Sequence, residues 1–405
     1  MLGKRVLWGT LNLSKTSAND NKKLMKLPKV KSIGIDIREA GGQGAGKGRY
    51  AEEITRAIIA AAPKSTKFIL FTKAEALGEG LPRRAVAKRM LLCNPRLRRQ
   101  RRIKQVVLPG QGIFWHLRLR RYLKKHPVGF FIAPTSYIYP AIAPCHQRLA
   151  TVVHDLIAFL HPKENHWFAT LVERLTLGRA IRRSEFVICV SKNTARDLVK
   201  VKPRVSAKPV VIAPPAVSRA YKPTKAKTVT LPKKFILAVG TLQPRKNLQL
   251  LFEALPDIAR AHPNLYLCIA GGEGWKMKEV FKDFPEWMQD RVHLLGYVSN
   301  PQIVELYSRA SALIFPSLYE GFGIPPLEAM ACGCPVIASN TSAIPEVVGR
   351  AAILIDPEDP ISLTRAVLEV LKPATAKKHK KRGLARAKKF TWRSSAKAIL
   401  GQIFA

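Results

Sequence analysis

The feature that most constrains this chain is an alternation of short apolar runs with helical patterns, and this alternation occurs twice. The first series extends from Lys31 to about Pro214, and the second begins at residue 234. Strands that alternate with helices form parallel sheets with helices on both faces. The runs are SIGIDI, KFILF, VGFFIAP, LATVVHD and FVICVS in the first series and FILAVGT, LYLCIAGG, VHLLGY, ALIFPS and PVIAS in the second. The sequence therefore predicts an α/β protein with two doubly wound domains that face a cleft.

Composition divides the chain further. Residues 1–28 are polar and lysine-rich, and we expect an N-terminal extension outside the fold. The first domain is predicted over residues 29–218 and the second over 234–385, because residues 219–233 are rich in Pro, Lys and Ala and are typical of a linker. A chain of 405 residues is long enough to build two such cores.

The charge is strongly basic, with 69 Lys and Arg against 27 Asp and Glu and a net charge of +42. Such a chain is attracted to anionic partners, whether nucleic acid, acidic lipid or a phosphorylated substrate. No nucleic-acid-binding module is recognisable, and aromatic residues do not interleave with the basic runs. These points disfavour nucleic acid, although a nucleic-acid-binding protein remains an alternative.

One long window, from Gly80 to His154, contains no acidic residue. It includes two basic stretches, Asn94–Lys104 and His116–Lys125. In WHLRLRRYL, Trp115, Leu119 and Tyr122 recur near helical spacing with basic residues between them. This pattern predicts an interfacial helix that docks with both basic stretches on an anionic membrane. The alternative is a solvated basic face in a chain rich in Lys and Arg throughout.

The six cysteines are scattered without a C-x-x-C pair, which predicts free, mostly buried thiols in a reducing compartment. No N-terminal segment has the pattern of a secretory signal. The uncharged stretch from Pro127 to Gln147 contains four prolines, so it indicates strand and loops rather than a membrane-spanning helix. We therefore expect a cytoplasmic protein.

The stretch GGQGAGKGRY, residues 41–50, follows a predicted strand and precedes a predicted helix. It matches the phosphate loop of ATPases as far as Lys47 but has Gly48 where a hydroxyl should hold magnesium. It also fits a dinucleotide fingerprint, yet the next strand closes on Lys73 instead of the acidic residue that binds ribose. A third interpretation is a glycine-rich turn that lets the chain pass close to a different ligand, and this stretch alone does not decide among the three.

The second half contains two motifs at predicted strand ends. In SLYEGFGIPPLEAMACGCPVIAS, Glu320 and Glu328 are separated by seven residues, and a helix is expected to begin near Pro325 and to end at Gly333, with Glu328 in its first turn. Ionised carboxylates there suit sugar or ribose hydroxyls. In AVGTLQPRKNLQLL, Arg245 and Lys246 are expected at the start of the next helix, where two cations suit a diphosphate.

Together these motifs resemble those of glycosyltransferase family 4, which comprises retaining enzymes with the two-Rossmann GT-B fold. GTLQPRKN, the pair of glutamates and PVIASNTSAIPEVVG match in order, as do GKGRY, VVHDLIAF and VICVSKNTARDL in the first half. The resemblance covers roughly residues 30 to 400 and includes ARAKKFTWRSSA. It implies that residues 386–405 form a helix that crosses back onto the first domain.

The resemblance also implies a role for each matching residue. Lys246, helped by Arg245, would neutralise the diphosphate of a nucleotide sugar, and Glu328 would hold its ribose. Glu320 would bind hydroxyls of the donor sugar, and His154 would lie beside that sugar near the acceptor. Lys246, Glu320 and His154 are thus the predicted catalytic residues.

The remaining matching positions would line the two substrates. Ser191 would lie further along the cleft, and Gly46 and Gly48 would let the first-domain loop close over donor and acceptor. The backbone after Glu320 would contact the sugar and the phosphate through Gly321, Phe322, Gly323 and Ile324.

The implied reaction moves a sugar from a nucleotide diphosphate to an acceptor hydroxyl with retention of configuration. Mannosyltransferase-like members that build bacterial surface polysaccharide are the most similar, so GDP-mannose is the first expected donor and a UDP-sugar the alternative. The acceptor would be a polysaccharide or a lipid-linked glycan, which would place the enzyme peripherally on the inner face of the membrane. The chain has no Asp-x-Asp motif and no His/Cys cluster, so we expect neither a metal nor another cofactor.

Overall fold

The computed structural model describes residues 30–40, 46–73, 101–272, 274 and 286–405. The extension predicted over residues 1–28, the start of the glycine-rich stretch (41–45), Cys93 and the basic residues 96–100 lie outside the described residues. Among the described cysteines, Cys145 is exposed and the other four are buried and free. In these described ranges, no helix is long and apolar enough to cross a membrane.

The first described sheet is built from parallel strands, and its central members are buried along their whole length. The strands are β1 (Ser32–Asp36), β2 (Lys67–Lys73), β3 (Ile103–Leu108), β4 (Phe130–Ala133), β5 (Leu149–Val153), β6 (Phe186–Cys189) and β7 (Val210–Ile212). Their order is β3-β2-β1-β4-β5-β6-β7, so the direction of winding reverses between β1 and β4. In doubly wound sheets, ligands bind beyond the carboxyl ends of the strands at such a reversal.

Helices cover both faces of this sheet. They are α1 (Gly46–Ala61), α2 (Gly112–Lys125), α3 (Ile138–Ile142), α4 (Ile157–Leu160), α5 (Trp167–Arg183) and α6 (Lys192–Val201), with 3-10 turns at Pro162–Glu164 and Pro203–Ala207. The stretch from Pro127 to Gln147 thus contains β4 and the short α3, with no continuous helix.

The second sheet is also parallel. Its strands are β8 (Phe235–Val239), β9 (Tyr266–Ala270), β10 (Val292–Gly296), β11 (Ala312–Phe315), β12 (Val336–Ser339) and β13 (Ile353–Ile355), in the order β10-β9-β8-β11-β12-β13. The helices are α7 (Leu248–Ala261), α8 (Asn300–Arg309), α9 (Ile324–Ala331), α10 (Ile344–Val348), α11 (Pro360–Val370), α12 (Pro373–Ala387) and α13 (Trp392–Phe404). Short 3-10 turns occupy Pro244–Lys246, Glu286–Arg291 and Gly349–Ala351. The reversal here lies between β8 and β11, and both signature motifs follow these two strands.

Amphipathic patterns explain how the helices attach to the sheets. In α7, all five residues that share the predicted apolar face are buried: Leu248, Leu251, Phe252, Leu255 and Ile258. They belong to one core cluster with residues of β8, β9 and α11. Burying a large aliphatic side chain contributes roughly 1.5–3 kcal/mol, so this face is sufficient to hold the helix in place.

The last helix returns to the first domain, as the resemblance implies. Trp392 at the start of α13 packs edge-on against Tyr50 of α1, with ring centroids 5.6 Å apart. The hydroxyl of Ser395 donates a hydrogen bond of 2.7 Å to the carbonyl of Pro214 beyond β7. The segment between the domains is anchored by the buried Glu305 of α8, which accepts hydrogen bonds from the backbone of Thr228 and Val229.

The prediction of an interfacial helix around Trp115 is wrong in one respect. The helix α2 forms, but Trp115 and Leu119 are fully buried, and only Tyr122 is partly exposed. The indole nitrogen of Trp115 donates to the carbonyl of Thr72 in the core. The apolar stripe of α2 therefore packs on the sheet and is not available to a membrane. Helical spacing alone does not distinguish these two uses.

Candidate active site between the two sheets

The densest group of charges lies beyond β8 and β11. Glu320 accepts contacts at one oxygen, Oε1, from both Lys246 Nζ at 2.6 Å and Arg245 Nη1 at 2.7 Å. Arg245 also donates a hydrogen bond of 2.7 Å to the carbonyl of Tyr319. All three charged side chains are mostly buried, so solvent screens their interactions only weakly.

Electrostatics keep Glu320 ionised. Burial alone would raise the pKa of its carboxyl, but Lys246 and Arg245 overcome this effect and lower that pKa to about 2. Burial, together with the neighbouring guanidinium, lowers the pKa of Lys246. The group holds two cations and one anion, so it retains a net positive charge that attracts a diphosphate.

Arg245 and Lys246 do not stand at the start of a helix, as the sequence led us to expect. They form the 3-10 turn Pro244–Lys246, and Asn247 separates this turn from α7 in a left-handed conformation with φ of 55°. The side-chain amide of Asn247 holds the bend by donating to the carbonyls of Pro316 and Pro357. The turn points both cations back toward the loop that carries Glu320.

Glu328 lies deeper than expected. The helix α9 begins at Ile324, so Glu328 falls in its second turn, and Gly333 follows the end of the helix as predicted. Glu328 is 4% exposed, pairs with Arg49 of α1 and accepts a hydrogen bond of 3.3 Å from the hydroxyl of Tyr307. Burial raises the pKa of its carboxyl, against the opposing effect of Arg49. Sequence reasoning missed Arg49, although it lies within GKGRY.

The loop after Glu320 touches the first domain. A Cβ atom on Gly321 would lie 1.8 Å from the carbonyl oxygen of His154, so only glycine permits this approach. The hydroxyl of Thr194 on α6 donates to the carbonyl of Gly321 at 3.0 Å. Phe322 is buried and packs edge-on against Phe390, while Gly323 caps α9 and Ile324 begins it.

His154 follows β5 and is oriented by the backbone. Its Nε2 lies 2.6 Å from the carbonyl of Pro134, so this nitrogen carries the proton that the carbonyl accepts. Burial, aided by the charge of Lys47, lowers the pKa of His154 to about 4. The ring is therefore neutral at pH 7, and it lies at the seam between the domains beside Gly321.

Ser191 has a structural role at the start of α6. It is fully buried at the N-cap of α6, where its Oγ accepts a hydrogen bond of 2.9 Å from the backbone N–H of Thr194. A serine before a helix is a common cap, and its hydroxyl is already used there. A contact of this hydroxyl with the donor stays a prediction.

Gly46 and Gly48 belong to the first turn of α1 rather than to the loop before it. A Cβ atom on Gly48 would lie 2.3 Å from the carbonyl oxygen of Glu39, so this glycine permits close packing of the helix on the preceding turn. Gly46 faces Ile324 of the second domain across the cleft. The helix start thus lies at the contact between the domains.

A cavity of about 710 Å³ opens on the first-domain side of the charged group, and Arg245 forms part of its wall. Inside it, Lys47 stands 3.6 Å from both Asp155 and Glu173. Burial raises the pKa of Glu173, whereas Lys47, His154 and Arg245 outweigh burial and lower the pKa of Asp155. Asp155 follows His154 within VVHDLIAF, but sequence reasoning singled out neither Asp155 nor Glu173.

Three further contacts hold α6 against the second domain. The carboxylate of Glu346 accepts hydrogen bonds from the backbone N–H groups of Lys192 and Asn193, at 2.9 and 3.0 Å. The hydroxyl of Tyr319 donates to Asp197 at 3.0 Å. The described residues contain no group of three or more His, Cys, Asp or Glu side chains arranged to hold a metal ion.

Comparison with known proteins decides the family. The protein-family model described as "Glycosyltransferase Family 4" matches residues 48–221 of the sequence, and the family model described as "Glycosyl transferases group 1" matches residues 222–389. O-antigen chain mannosyltransferase B of Escherichia coli is 30% identical over 262 residues, which cover 61% of this chain and 67% of that protein. The chain belongs to glycosyltransferase family 4. It is a glycosyltransferase of glycan synthesis, which confirms the resemblance inferred from the motifs.

Other similar proteins are longer or more distant in sequence. Serotype-specific mannosyltransferase WbdA of Escherichia coli is 26% identical over 267 residues, or 62% of this chain, and the match covers 32% of that protein. The chain thus spans about a third of that relative. Sucrose-phosphate synthase from Thermosynechococcus elongatus superposes with a TM-score of 0.68 at 18% identity, covering 92% of this chain and 98% of the other. HepE from Anabaena, in complex with UDP and glucose, gives 0.66 at 18% identity, covering 92% and 99%. These structures confirm the predicted GT-B fold.

Proposed function

We propose that this glycosyltransferase moves a sugar from a nucleotide diphosphate donor to a hydroxyl of a polysaccharide or lipid-linked glycan, with retention of the anomeric configuration. The observation that carries the proposal is the group formed by Arg245, Lys246 and Glu320 at the carboxyl ends of β8 and β11. Its net positive charge is buried and held in place, as a site for a diphosphate requires.

The proposed step uses these charges directly. The bond between the anomeric carbon and the diphosphate oxygen breaks, and its electron pair goes to the phosphate, beside Lys246 and Arg245. The acceptor oxygen bonds to the anomeric carbon on the same face, and its proton passes to the leaving phosphate oxygen. Preorganised cations stabilise the charge that develops on the phosphate, which is electrostatic catalysis.

The two glutamates have different proposed roles. When the diphosphate draws Lys246 and Arg245 toward itself, Glu320 is released to accept hydrogen bonds from sugar hydroxyls. Glu328 would bind the ribose, whose hydroxyls must compete with Arg49 for the carboxylate. His154 would lie beside the sugar as a neutral ring, with Gly321 and the first turn of α9 contacting sugar and phosphate.

GDP-mannose is the proposed donor, because relatives that match most of the chain are named mannosyltransferases. The acceptor is proposed to enter the cavity lined by Lys47, Asp155 and Glu173, since this space adjoins Arg245. The names of two relatives refer to the O-antigen chain, which supports a surface glycan as the product. On this proposal the enzyme works in the cytoplasm at the inner face of a membrane, without a metal ion.

The test is a donor panel on the purified chain. GDP-mannose, UDP-glucose, UDP-galactose and UDP-N-acetylglucosamine are incubated with the enzyme, and release of the nucleoside diphosphate is measured against the Lys246→Ala variant. We expect GDP-mannose to be cleaved and the variant to be defective. Selective cleavage of a UDP-sugar would transfer the proposal to that donor. Cleavage of none above the rate of the variant would contradict the proposed function.

A further inference from the structure

Two helices present exposed apolar side chains at the mouth of the cavity. On α2, Ile113, Phe114 and Leu117 are exposed, and Phe114 is 68% exposed. On α5, Trp167, Phe168 and Leu171 are exposed, and Trp167 is 70% exposed. We call these six residues the apolar rim. Single exposed apolar residues are common, but a grouped set of large ones marks an interaction surface.

The apolar rim borders the cavity on two sides. Gly112 and His166 form part of the cavity wall, and each immediately precedes rim residues, Ile113 and Trp167 respectively. The rings of Trp167 and Phe168 pack edge-on with centroids 5.7 Å apart, so they form one aromatic ridge. A ligand chain that leaves the cavity through this mouth would pass directly over the rim.

Basic side chains continue the same helix faces. On α2, Arg120 and Lys124 follow Ile113 and Leu117 at helical spacing, and all are exposed. On α5, Arg179 and Arg182 follow Leu171 at similar spacing and are exposed. The window from Gly80 to His154 supplies no acid to offset the charge of α2.

The acidic side chains of α5 and the preceding turn point elsewhere. Glu164 and Glu173 line the cavity and are only partly exposed, and Glu173 is paired with Lys47. The outer surface therefore combines large apolar side chains with positive charge. A protein core or a dimer interface does not require such an excess of positive charge, whereas an anionic lipid surface is complementary to both features.

We propose that the apolar rim and its basic flanks dock on an anionic lipid bilayer, so that the cavity opens onto the membrane surface. The inference rests on the proposed function, which supplies a lipid-linked acceptor, but it assigns the docking surface to residues other than the buried Trp115 and Leu119. Phe114 and Trp167 enter the interfacial region, and the basic residues of α2 and α5 bind lipid phosphates. No membrane-spanning segment is needed for this attachment.

The experiment is vesicle co-sedimentation of the full chain. Vesicles of phosphatidylcholine mixed with phosphatidylglycerol are compared with vesicles of phosphatidylcholine alone, at low and high sodium chloride. The test variant is Phe114→Ser with Trp167→Ser. The matched control is Leu294→Ser with Tyr297→Ser, which removes two side chains of similar exposure from the second domain.

The wild type and the control should bind the anionic vesicles, more weakly at high salt because the Debye length shrinks. The rim variant should bind them about 100-fold more weakly, about tenfold for each aromatic side chain. Binding by the rim variant that equals the control would overturn the proposal, as would equal binding to both vesicle types. A dimer in sedimentation velocity that the rim variant disrupts would also overturn it, in favour of a second copy.

A further arm separates this inference from the proposed function. Transfer to a short, water-soluble acceptor should be unchanged in the rim variant, whereas transfer to a vesicle-bound acceptor should fall about 100-fold at limiting lipid. An enzyme that cleaves the donor but ignores anionic vesicles would leave the proposed function intact and contradict the docking surface. An enzyme that binds the vesicles through the rim but cleaves no donor would contradict the proposed function alone.

Discussion

The two sides of the cleft hold their charges in different ways. On the second-domain side, one oxygen of the mostly buried Glu320 is shared by Lys246 and Arg245 at 2.6 and 2.7 Å. On the first-domain side, Lys47 lies 3.6 Å from Asp155 and Glu173 in a cavity of about 710 Å³. Closely paired, buried charges suit one fixed group such as a diphosphate, whereas loosely paired charges in a wide cavity suit a larger ligand. The difference supports a donor side and an acceptor side.

The largest expected effect is on the second-domain side. Lys246→Ala should lower kcat/KM for the donor about 100-fold, because loss of a preorganised charge partner costs about 2–4 kcal/mol of transition-state stabilisation. Initial rates at varied donor concentration measure this. Lys233→Ala, which removes an exposed lysine just before β8, is the control and should be near wild type. Near-native transfer by Lys246→Ala would contradict the proposal that the donor binds on the second-domain side.

A smaller effect is expected deeper on the same side. Glu328→Gln should raise the donor KM about tenfold with little change in kcat, because a hydrogen bond to an ionised group contributes roughly 1.5–3 kcal/mol. Glu320→Gln should instead lower kcat, since Glu320 is proposed to act on the transferred sugar. Steady-state kinetics of both variants test this division. A change in kcat alone for Glu328→Gln would contradict a role of Glu328 in binding the donor ribose.

On the first-domain side, Asp155→Asn should raise the acceptor KM about fivefold and leave the donor KM unchanged, as expected for a hydrogen bond of about 1 kcal/mol. Glu185→Gln is a matched control, because Glu185 forms an exposed ion pair with Arg148 away from the cavity. Kinetics with each substrate varied in turn separate the two constants. A changed donor KM in Asp155→Asn would contradict the assignment of the first-domain side to the acceptor alone.

The first-domain side should also dominate the pH dependence of stability in weak acid. Burial lowers the pKa of His154 to about 4 and that of His116 to about 3, from an ordinary value of 6.5. Between the folded-state and the ordinary pKa of each histidine, the unfolded chain binds more protons than the folded chain. The free energy of unfolding should therefore fall as the pH drops from about 6.5 to about 4. The free energy of unfolding, measured by urea titration at each pH, should depend less steeply on pH in His154→Gln than in the wild type. An unchanged slope would mean that His154 is not kept neutral by the fold.

The smallest expected effect is that of a chelator. Since Lys246 and Arg245 supply the positive charge at the proposed phosphate site, EDTA should leave the transfer rate unchanged. Activity lost in EDTA and restored by Mg²⁺ or Mn²⁺ would show that the two cations are insufficient.

Much of the fold follows from local pattern. Strands that are buried on both faces, such as those within FVICVS and ALIFPS, consist of continuous apolar runs, so they can be recognised from the sequence. The strands that we did not predict, β3, β7 and β13, lie at sheet edges, where short or mixed runs suffice. In β3 the basic residues Arg101 and Arg102 precede Ile103, and this charge concealed the strand.

The site residues could be predicted where they lie together in short motifs. Glu320, Arg245 and Lys246 lie in two short motifs after strands, and the structure brings them together. The pairing of Arg49 with Glu328 joins residues 279 positions apart and leaves no local signal. Ser191 was placed along the cleft because VICVSKNTARDL matches the family, and its role as a helix cap was not noticed in the sequence.

The most direct test of two distinct sides is calorimetric binding of the nucleoside diphosphate released from the true donor. If the diphosphate binds on the second-domain side, Lys246→Ala should lose about 100-fold of the wild-type affinity, whereas Asp155→Asn should keep it. Retained affinity in Lys246→Ala together with lost affinity in Asp155→Asn would contradict two distinct sides, because the diphosphate would then bind on the first-domain side.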